Sequence, residues 1–146
     1  MFTKSERSTF TYWFAHWCAF QMTVLNLKVW KFKYLFHDIE KPFLKLFWDY
    51  KKVQKWHRTH NSHHTEYNGL WDTYAMVIDW ECSRFTKAEA QLNAYDTLKK
   101  IMKKSDSKEY RQKLYENITP VLYDLGLTSL IGVNILYNLI EHPDFE

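Results

Sequence analysis

The chain has 146 residues, of which 46% are hydrophobic and 18% aromatic, and its formal net charge is +3. So many aromatic residues exclude a disordered chain, and so weak a positive charge does not favour stable binding to duplex nucleic acid. The sequence contains three glycines and three prolines, too few for the tight turns of a many-stranded sheet. We therefore predict an all-α protein, and the length fits a single domain over 1–146.

Four segments in the first part of the chain are rich in apolar residues, and we predict that each is a helix. These segments are 9–25, 26–38, 42–53 and 70–85. Ser8 or Thr9 is a suitable N-cap for the first of them. In the third segment, the side chains that we expect to face inward are Phe43, Leu44, Phe47 and Trp48.

The character of the sequence changes at Thr86, where an amphipathic pattern begins and continues to residue 104. Thr86 would cap this helix, with Glu89 at the capping-box position. Two further helices, over 105–118 and 127–142, complete the predicted helical bundle.

The two cysteines, Cys18 and Cys82, lie far apart and form no Cys-x-x-Cys pair. We interpret both as buried thiols in a reducing environment, since a secreted disulfide scaffold would use more cysteines. The first ten residues lack the basic-then-apolar order of a secretory signal, and polar residues interrupt the most apolar segment, 13–30. These patterns predict a cytoplasmic protein without a membrane span.

The segment KWHRTHNSHHTEY, residues 55–67, holds four of the seven histidines. Asn61 and Ser62 indicate that it is partly loop. His63 and His64 are adjacent, and on a regular helix their side chains would point about 100° apart. One of the two would then ligate a metal, while the other would contact a phosphate or donate a proton.

Metal-ligating residue types recur in or beside the predicted apolar helices. In chain order they are His16, His37, Asp38, His57, His63, His64 and Asp79. Burying such groups is costly unless they have a partner. Imidazole nitrogens combined with carboxylate oxygens suit Mn, Fe, Co, Ni, Zn or Mg. We therefore predict a divalent metal site built from these residues.

Four other residues of the histidine segment have separate predicted roles. His60 fits the ligand pattern less well, and we expect it to be exposed. Glu66 is a candidate for orienting a ligating imidazole. Trp56 and Tyr67 flank the histidines and are candidates for stacking on a nucleobase.

The order of these residues resembles that of the HD superfamily of metal-dependent phosphohydrolases, an all-helical family whose ligands run His, His-Asp, then Asp. The matching positions here are His16, His37-Asp38 and Asp79. The dinuclear branch of that superfamily adds three histidines and a lysine three residues beyond the Asp, which correspond to His57, His63, His64 and Lys41. The Gly-Tyr-Pro signature of its cyclic-dinucleotide enzymes is absent, so their substrate is not carried over.

A closer similarity is to a small uncharacterised family from bacteria and their phages. Its members carry HD followed by a lysine, then Asn-x-His-His-x-Glu-Tyr, then an Asp-containing helix, and this chain has HDIEK, NSHHTEY and MVIDW. The similarity covers about residues 10–85, and 86–146 matches only as further helices. It implies an HD-like helical bundle in the cytoplasm of a bacterium or a phage-infected cell.

The resemblance implies metal-dependent hydrolysis of a nucleotide or related phosphate ester, cyclic nucleotides included, with one or two divalent ions. Asp38, His64 and Lys41 would be catalytic, and Lys41 would contact the phosphate, with Trp56 and Tyr67 also binding the substrate. Two alternatives stay open: a di-iron oxygenase with the same ligands, and a non-enzymatic interaction protein that keeps the fold. The sequence leaves the oligomeric state open.

Overall fold

In the computed structural model, residues 1–89 and 91–145 are described. Over these residues every regular element is helical, apart from one isolated bridge between Phe2 and Lys87. The predicted all-α class is confirmed. None of the helices in the described ranges combines the length and the apolar character that a bilayer span requires.

Seven α-helices occur in this part of the chain. They are α1 (Phe10–Asn26), α2 (Glu40–Leu44), α3 (Tyr50–His60), α4 (Thr73–Ser83), α5 (Ala94–Lys104), α6 (Lys108–Asp124) and α7 (Leu130–Glu141). Short 3-10 helices span Lys4–Glu6 and Phe32–Phe36. The chain divides into two compact units, Met1–Gln91 with α1–α4 and Leu92–Glu146 with α5–α7. A single domain over 1–146 stays a prediction.

The core of the first unit forms where α1 packs against α4. Its buried members are Phe20, Val24, Tyr34, Ala75, Ile78 and Cys82. Helix α1 begins as predicted, because the Thr9 hydroxyl accepts a hydrogen bond from the backbone N–H of Tyr12. Helix α4 confirms the apolar segment predicted over 70–85. Cys82 is buried as expected, whereas Cys18 is only half-buried because it lies on a partly exposed face of α1.

The second predicted helix, over 26–38, is wrong. Helix α1 ends in a Schellman arrangement, in which the N–H of Val29 bonds the carbonyl of Val24. Lys28 takes the left-handed conformation of this motif, with φ 59°. Glycine usually fills that position, so a lysine there does not indicate that the helix stops. Beyond it, only the 3-10 helix Phe32–Phe36 forms.

The third predicted helix, over 42–53, is also wrong, because it divides into α2 and α3. The Asp49 carboxylate accepts a hydrogen bond from the backbone N–H of Lys52, and α3 begins as a separate helix at this N-cap. Phe43 and Phe47 do not face inward, since they are 63% and 83% exposed. The short turn between the helices places these rings outside the core.

The second unit consists of α5, α6 and α7 packed on one another. Helix α5 begins at Ala94 and not at Thr86, because the Asn93 side chain accepts the N–H of Asp96. The carbonyl of Thr86 accepts the N–H of Phe2 instead. The predicted capping role of Glu89 is therefore wrong. Helices α6 and α7 confirm the segments predicted over 105–118 and 127–142.

Replacing Asn93 by Ala should lower the free energy of unfolding by about 1 kcal/mol, because one N–H at the start of α5 loses its acceptor. Asn93→Ser should retain most of the stability, since serine is also a good N-cap. Urea denaturation followed by circular dichroism measures both variants. Equal midpoints for Asn93→Ala and the unsubstituted protein would show that this cap does not hold the helix.

Candidate metal centre

The seven predicted ligands come together in the first unit. His16 lies on α1, Asp79 lies on α4 and His57 lies on α3. The remaining ligands lie outside α-helices: His37 and Asp38 follow the 3-10 helix, and His63 and His64 occupy the turn after α3. All are buried except His64, which is half-buried. The structure therefore brings together residues up to 63 positions apart.

We call the first group of ligands, His16, His37, Asp38 and Asp79, cluster 1. One ligand atom of each lies within 4.8 Å of the others. The Nε2 atoms of His16 and His37 are 3.2 Å apart, and both point at Oδ1 of Asp79, at 2.8 and 3.1 Å. Oδ2 of Asp38 lies 3.7 Å from His16 Nε2 and 3.5 Å from His37 Nε2.

These distances match the spacing of ligands around one ion. Nitrogen and oxygen ligands about 2.0–2.2 Å from a metal, with angles of roughly 90–110° between them, lie about 2.8–3.6 Å from each other. In cluster 1, the distances that involve the two histidine nitrogens run from 2.8 to 3.7 Å. Four buried side chains at this spacing fit a single divalent ion.

The second group, His57, His63 and His64, is called cluster 2, and one ligand atom of each again lies within 4.8 Å of the others. Nε2 of His57 and Nε2 of His63 approach the other oxygen of Asp38, Oδ1, at 3.0 and 3.1 Å. Despite these distances, all three atoms lack a hydrogen bond of acceptable geometry, and His64 Nε2 is also buried without a partner. Atoms that converge without aligning suit coordination to a shared ion better than mutual hydrogen bonding.

Asp38 thus presents one oxygen to each cluster. Its backbone is in the left-handed region, with φ 57°, a conformation that aspartate tolerates better than most residues. The indole N–H of Trp13 donates to the Asp38 carbonyl at 2.8 Å and holds the turn in place. Strained backbone of this kind is typical of functional sites.

Glu40 orients His57 from the opposite side of its ring. The Glu40 carboxylate contacts Nδ1 of His57 and accepts a hydrogen bond of 3.1 Å from the Asn61 amide. A carboxylate on Nδ1 leaves Nε2 free to act as a metal ligand. His37 is fixed differently, by stacking on Phe20 with ring centroids 3.8 Å apart.

Burial and neighbouring charges set the protonation of the two carboxylates. Burial raises the pKa of Asp38, but His37 and Lys41 outweigh it, so that the pKa lies well below its usual range. The same balance, with His16 and His37 as the partners, holds the pKa of Asp79 well below its usual range. Both side chains are therefore carboxylates near neutral pH, the form that binds cations.

The imidazole of His64 is neutral near physiological pH, because burial lowers its pKa to about 2. A neutral imidazole can be a metal ligand but cannot donate a proton as imidazolium. Burial also lowers the pKa of His37. Since His63 and His64 occupy a turn rather than a helix, their adjacency does not prevent both from belonging to cluster 2.

The other predicted residues of the histidine segment lie outside the two clusters. His60 is exposed, as predicted, and stacks on Trp56 with ring centroids 4.5 Å apart. Glu66 is exposed and contacts Thr65 and Arg58. Its role in orienting a ligand stays a prediction, as does substrate stacking by Trp56 and Tyr67. In the structure, Glu40 is the carboxylate that orients His57.

Sequence reasoning missed a group of cations beside the clusters. Arg7, Arg58 and Lys87 join Lys41 around a polar pocket that also reaches His16, Asp38, His64 and Asp79. Lys41 Nζ lies 3.2 Å from Oδ2 of Asp38. Arg7 precedes the first predicted helix, and Lys87 lies in the predicted helix from Thr86 that does not begin there, so helical periodicity could not place either side chain beside the clusters. Only the folded chain brings them to the ligands.

Comparisons with known proteins identify no relative. No family model, curated protein or solved structure matches the chain. The HD-like fold and family therefore stay a prediction from the quoted motifs, while the two clusters rest on the geometry of the residues themselves.

The purified protein should bind one to two divalent transition ions per chain, and Asp38→Ala should remove most of that metal because Asp38 faces both clusters. Elemental analysis after dialysis against Mn²⁺, Co²⁺ or Zn²⁺ measures the content. A comparison with Asp106→Ala, which removes an exposed carboxylate of the second unit, controls for general charge effects. Unchanged metal content in Asp38→Ala would contradict the assignment.

Replacing Glu40 by Ala should weaken binding to cluster 2 by roughly 10–100-fold, because His57 loses the carboxylate that orients it. The matched control is His60→Ala, which removes an exposed histidine of α3, the helix that carries His57. This variant should change the metal affinity little. Calorimetric titration of metal-free protein resolves the two binding events. If Glu40→Ala and His60→Ala behave alike, the contact between Glu40 and His57 does not support a metal site.

Proposed function

We propose that this protein hydrolyses phosphate esters with divalent metal ions held by clusters 1 and 2. The observation that carries the proposal is the division of the Asp38 oxygens between the two clusters. A carboxylate placed in this way is suited to bridging two ions, an arrangement used by many phosphatases and nucleases. The predicted nucleotide substrate is one member of this class.

The cations around the polar pocket support an anionic substrate. The side-chain ammonium of Lys87 forms no hydrogen bond or ion pair with any described residue, although Arg7 and Glu89 are paired beside it. Burial lowers the pKa of Lys87, and nearby Arg7 and Lys41 lower it further while Asp79 opposes them. Clustered positive charges of this kind gain stability when an anion arrives. A phosphoryl group has the charge and the oxygens to satisfy them.

In the proposed reaction, a bond forms between a water oxygen and phosphorus while the ester P–O bond breaks, and the leaving oxygen takes up a proton. The bound ions would lower the pKa of water and polarise the phosphoryl oxygens. Asp38 and Asp79 would supply the negative charge that binds the ions. Glu40 keeps His57 in its ligating orientation. Lys41 and Lys87 neutralise the negative charge that develops on phosphoryl oxygens.

The cation group also distinguishes this proposal from the alternatives. Iron-dependent oxygen chemistry would use the same ligands, but it does not by itself call for four cations around the adjoining pocket. Freshly purified protein with two irons would absorb visible light, whereas a Mn²⁺ or Zn²⁺ hydrolase would show no comparable iron absorption. An interaction protein without turnover would have no need for the converging ligand atoms of both clusters.

The proposal is tested by incubating metal-loaded protein with phosphomonoesters, phosphodiesters and nucleotides. We expect release of orthophosphate or alcohol that depends on added Mn²⁺, Co²⁺, Zn²⁺ or Mg²⁺ and that Asp38→Ala abolishes. An absence of hydrolysis with every ester, in protein shown to contain its metal, would reject the proposed activity.

Truncation of Lys41 should separate metal binding from turnover. Burial lowers the pKa of Lys41, but Asp38 outweighs burial and raises it, so the side chain is an ammonium and no metal ligand. Lys41→Met should retain its metal while kcat/KM falls on the order of tenfold or more, since one charge-assisted contact is lost. Lys41→Arg should be milder.

The matched control is Lys51→Met, which removes an exposed lysine of α3 away from the pocket. Metal content and steady-state hydrolysis are measured on the same preparations. Full activity in Lys41→Met would show that this lysine does not contact the substrate.

A further inference from the structure

An apolar cavity of about 320 Å³ opens beside the metal clusters. Its apolar and aromatic walls come from α1, the α2 region and α3, and they include Phe10, Tyr12, Trp13, Leu46, Tyr50 and Val53. The volume lies at the small end of the range of roughly 300–1,000 Å³ that is typical of ligand sites. We call it the apolar cavity.

The apolar cavity and the polar pocket meet at the metal clusters. His16, Asp38 and Lys41 line both of them. A molecule whose phosphoryl group lies at the clusters can therefore extend its organic group into the apolar cavity. Trp13 gives this junction a fixed wall, because its indole N–H is bound to the Asp38 carbonyl.

Two of the polar groups at the cavity wall are already engaged. The Thr9 hydroxyl contacts the Glu6 carbonyl and caps α1, and the Lys45 ammonium donates to the carbonyl of Ser8. Because the surface of the cavity is mostly apolar, the hydroxyls of a sugar or the edge of a nucleobase would lose more hydrogen bonds to water than they could gain there. Apolar and aromatic groups have no such cost, and aromatic walls favour ring-shaped ligands.

The polar pocket has a volume of about 40 Å³, which is room for about three water molecules by the measure of one probe sphere each. That space suits the oxygens of one phosphoryl group, whereas the apolar cavity is the larger space that can hold an organic group. The arrangement of a small cationic pocket, a metal site and a larger apolar cavity therefore matches a phosphomonoester rather than a diester.

We propose that the apolar cavity binds the organic group of the substrate, and that the substrate is a phosphomonoester of a compact alcohol with an aromatic ring. The inference rests on the proposed function for the role of the metal site. It narrows the expected substrates from phosphate esters in general to monoesters without hydrogen-bonding groups on the organic part, and so disfavours the predicted nucleotides.

The test compares 2-phenylethyl phosphate, glycerol 3-phosphate and adenosine 5′-monophosphate, which are all alkyl monoesters and so have similar leaving groups. We expect the lowest KM for 2-phenylethyl phosphate. Leu46→Gln should raise that KM by about fivefold or more, because Leu46 contributes apolar surface to the cavity. It should leave the KM for glycerol 3-phosphate nearly unchanged.

Phe47→Gln is the matched control, because Phe47 is adjacent, is 83% exposed against 76% for Leu46, and does not line the cavity. Both substituted side chains are exposed, so neither substitution should disturb folding. If Leu46→Gln and Phe47→Gln give the same KM for 2-phenylethyl phosphate, or if adenosine 5′-monophosphate is the better substrate, the inference is overturned.

Binding of 2-phenylethylphosphonate, which has no ester bond to cleave, separates this inference from the proposed function. Calorimetry with metal-loaded protein should give a Kd that Leu46→Gln raises and Phe47→Gln does not. That result in a protein without hydrolytic activity would reject the proposed function and retain the cavity assignment. A Kd that neither substitution changes would reject the cavity assignment even if hydrolysis is observed.

Discussion

Asp38 is buried between two groups of histidines, and this burial constrains how the rest of the first unit can be arranged. A buried carboxylate loses hydration worth several kcal/mol even after the protein relaxes, and this one is compensated only where imidazoles and Lys41 converge on its two oxygens. Its left-handed backbone and the hydrogen bond from Trp13 keep both oxygens inward. Phe20, which stacks on His37, connects this polar centre to the apolar core.

Charge is distributed unevenly around this centre. Carboxylates from Asp38, Glu40 and Asp79 lie among the histidines, whereas Arg7 and Lys87 lie around the adjoining pocket. An ion bound by the carboxylates would add positive charge next to these cations, and an anionic ligand would relieve the resulting repulsion. Metal and phosphate binding should therefore reinforce each other, since each reduces the electrostatic cost of the other.

The sequence predicted which histidines and aspartates come together better than it predicted the path of the chain between them. The order of His16, His37-Asp38 and Asp79 was informative because polar residues in apolar company need partners. The helix predicted over 26–38 does not form, because Lys28 adopts a left-handed backbone conformation. A lysine in the sequence does not indicate that conformation. Thr86 does not cap a helix, because its carbonyl accepts a hydrogen bond from the N–H of Phe2, a residue distant in sequence. Glu40 was overlooked because its partner lies 17 residues away, on a separate helix.

The distribution of the ligands along the chain also bears on how the first unit folds. An ion held by both His16 and Asp79 would act as a cross-link that closes a loop of 63 residues, and closing long loops removes conformational entropy from the unfolded ensemble. Because the unfolded chain offers no preformed site, the free energy of metal binding adds to the stability of the folded unit. The thermal midpoint of this unit should then rise with the concentration of free metal, as the linkage between binding and unfolding requires.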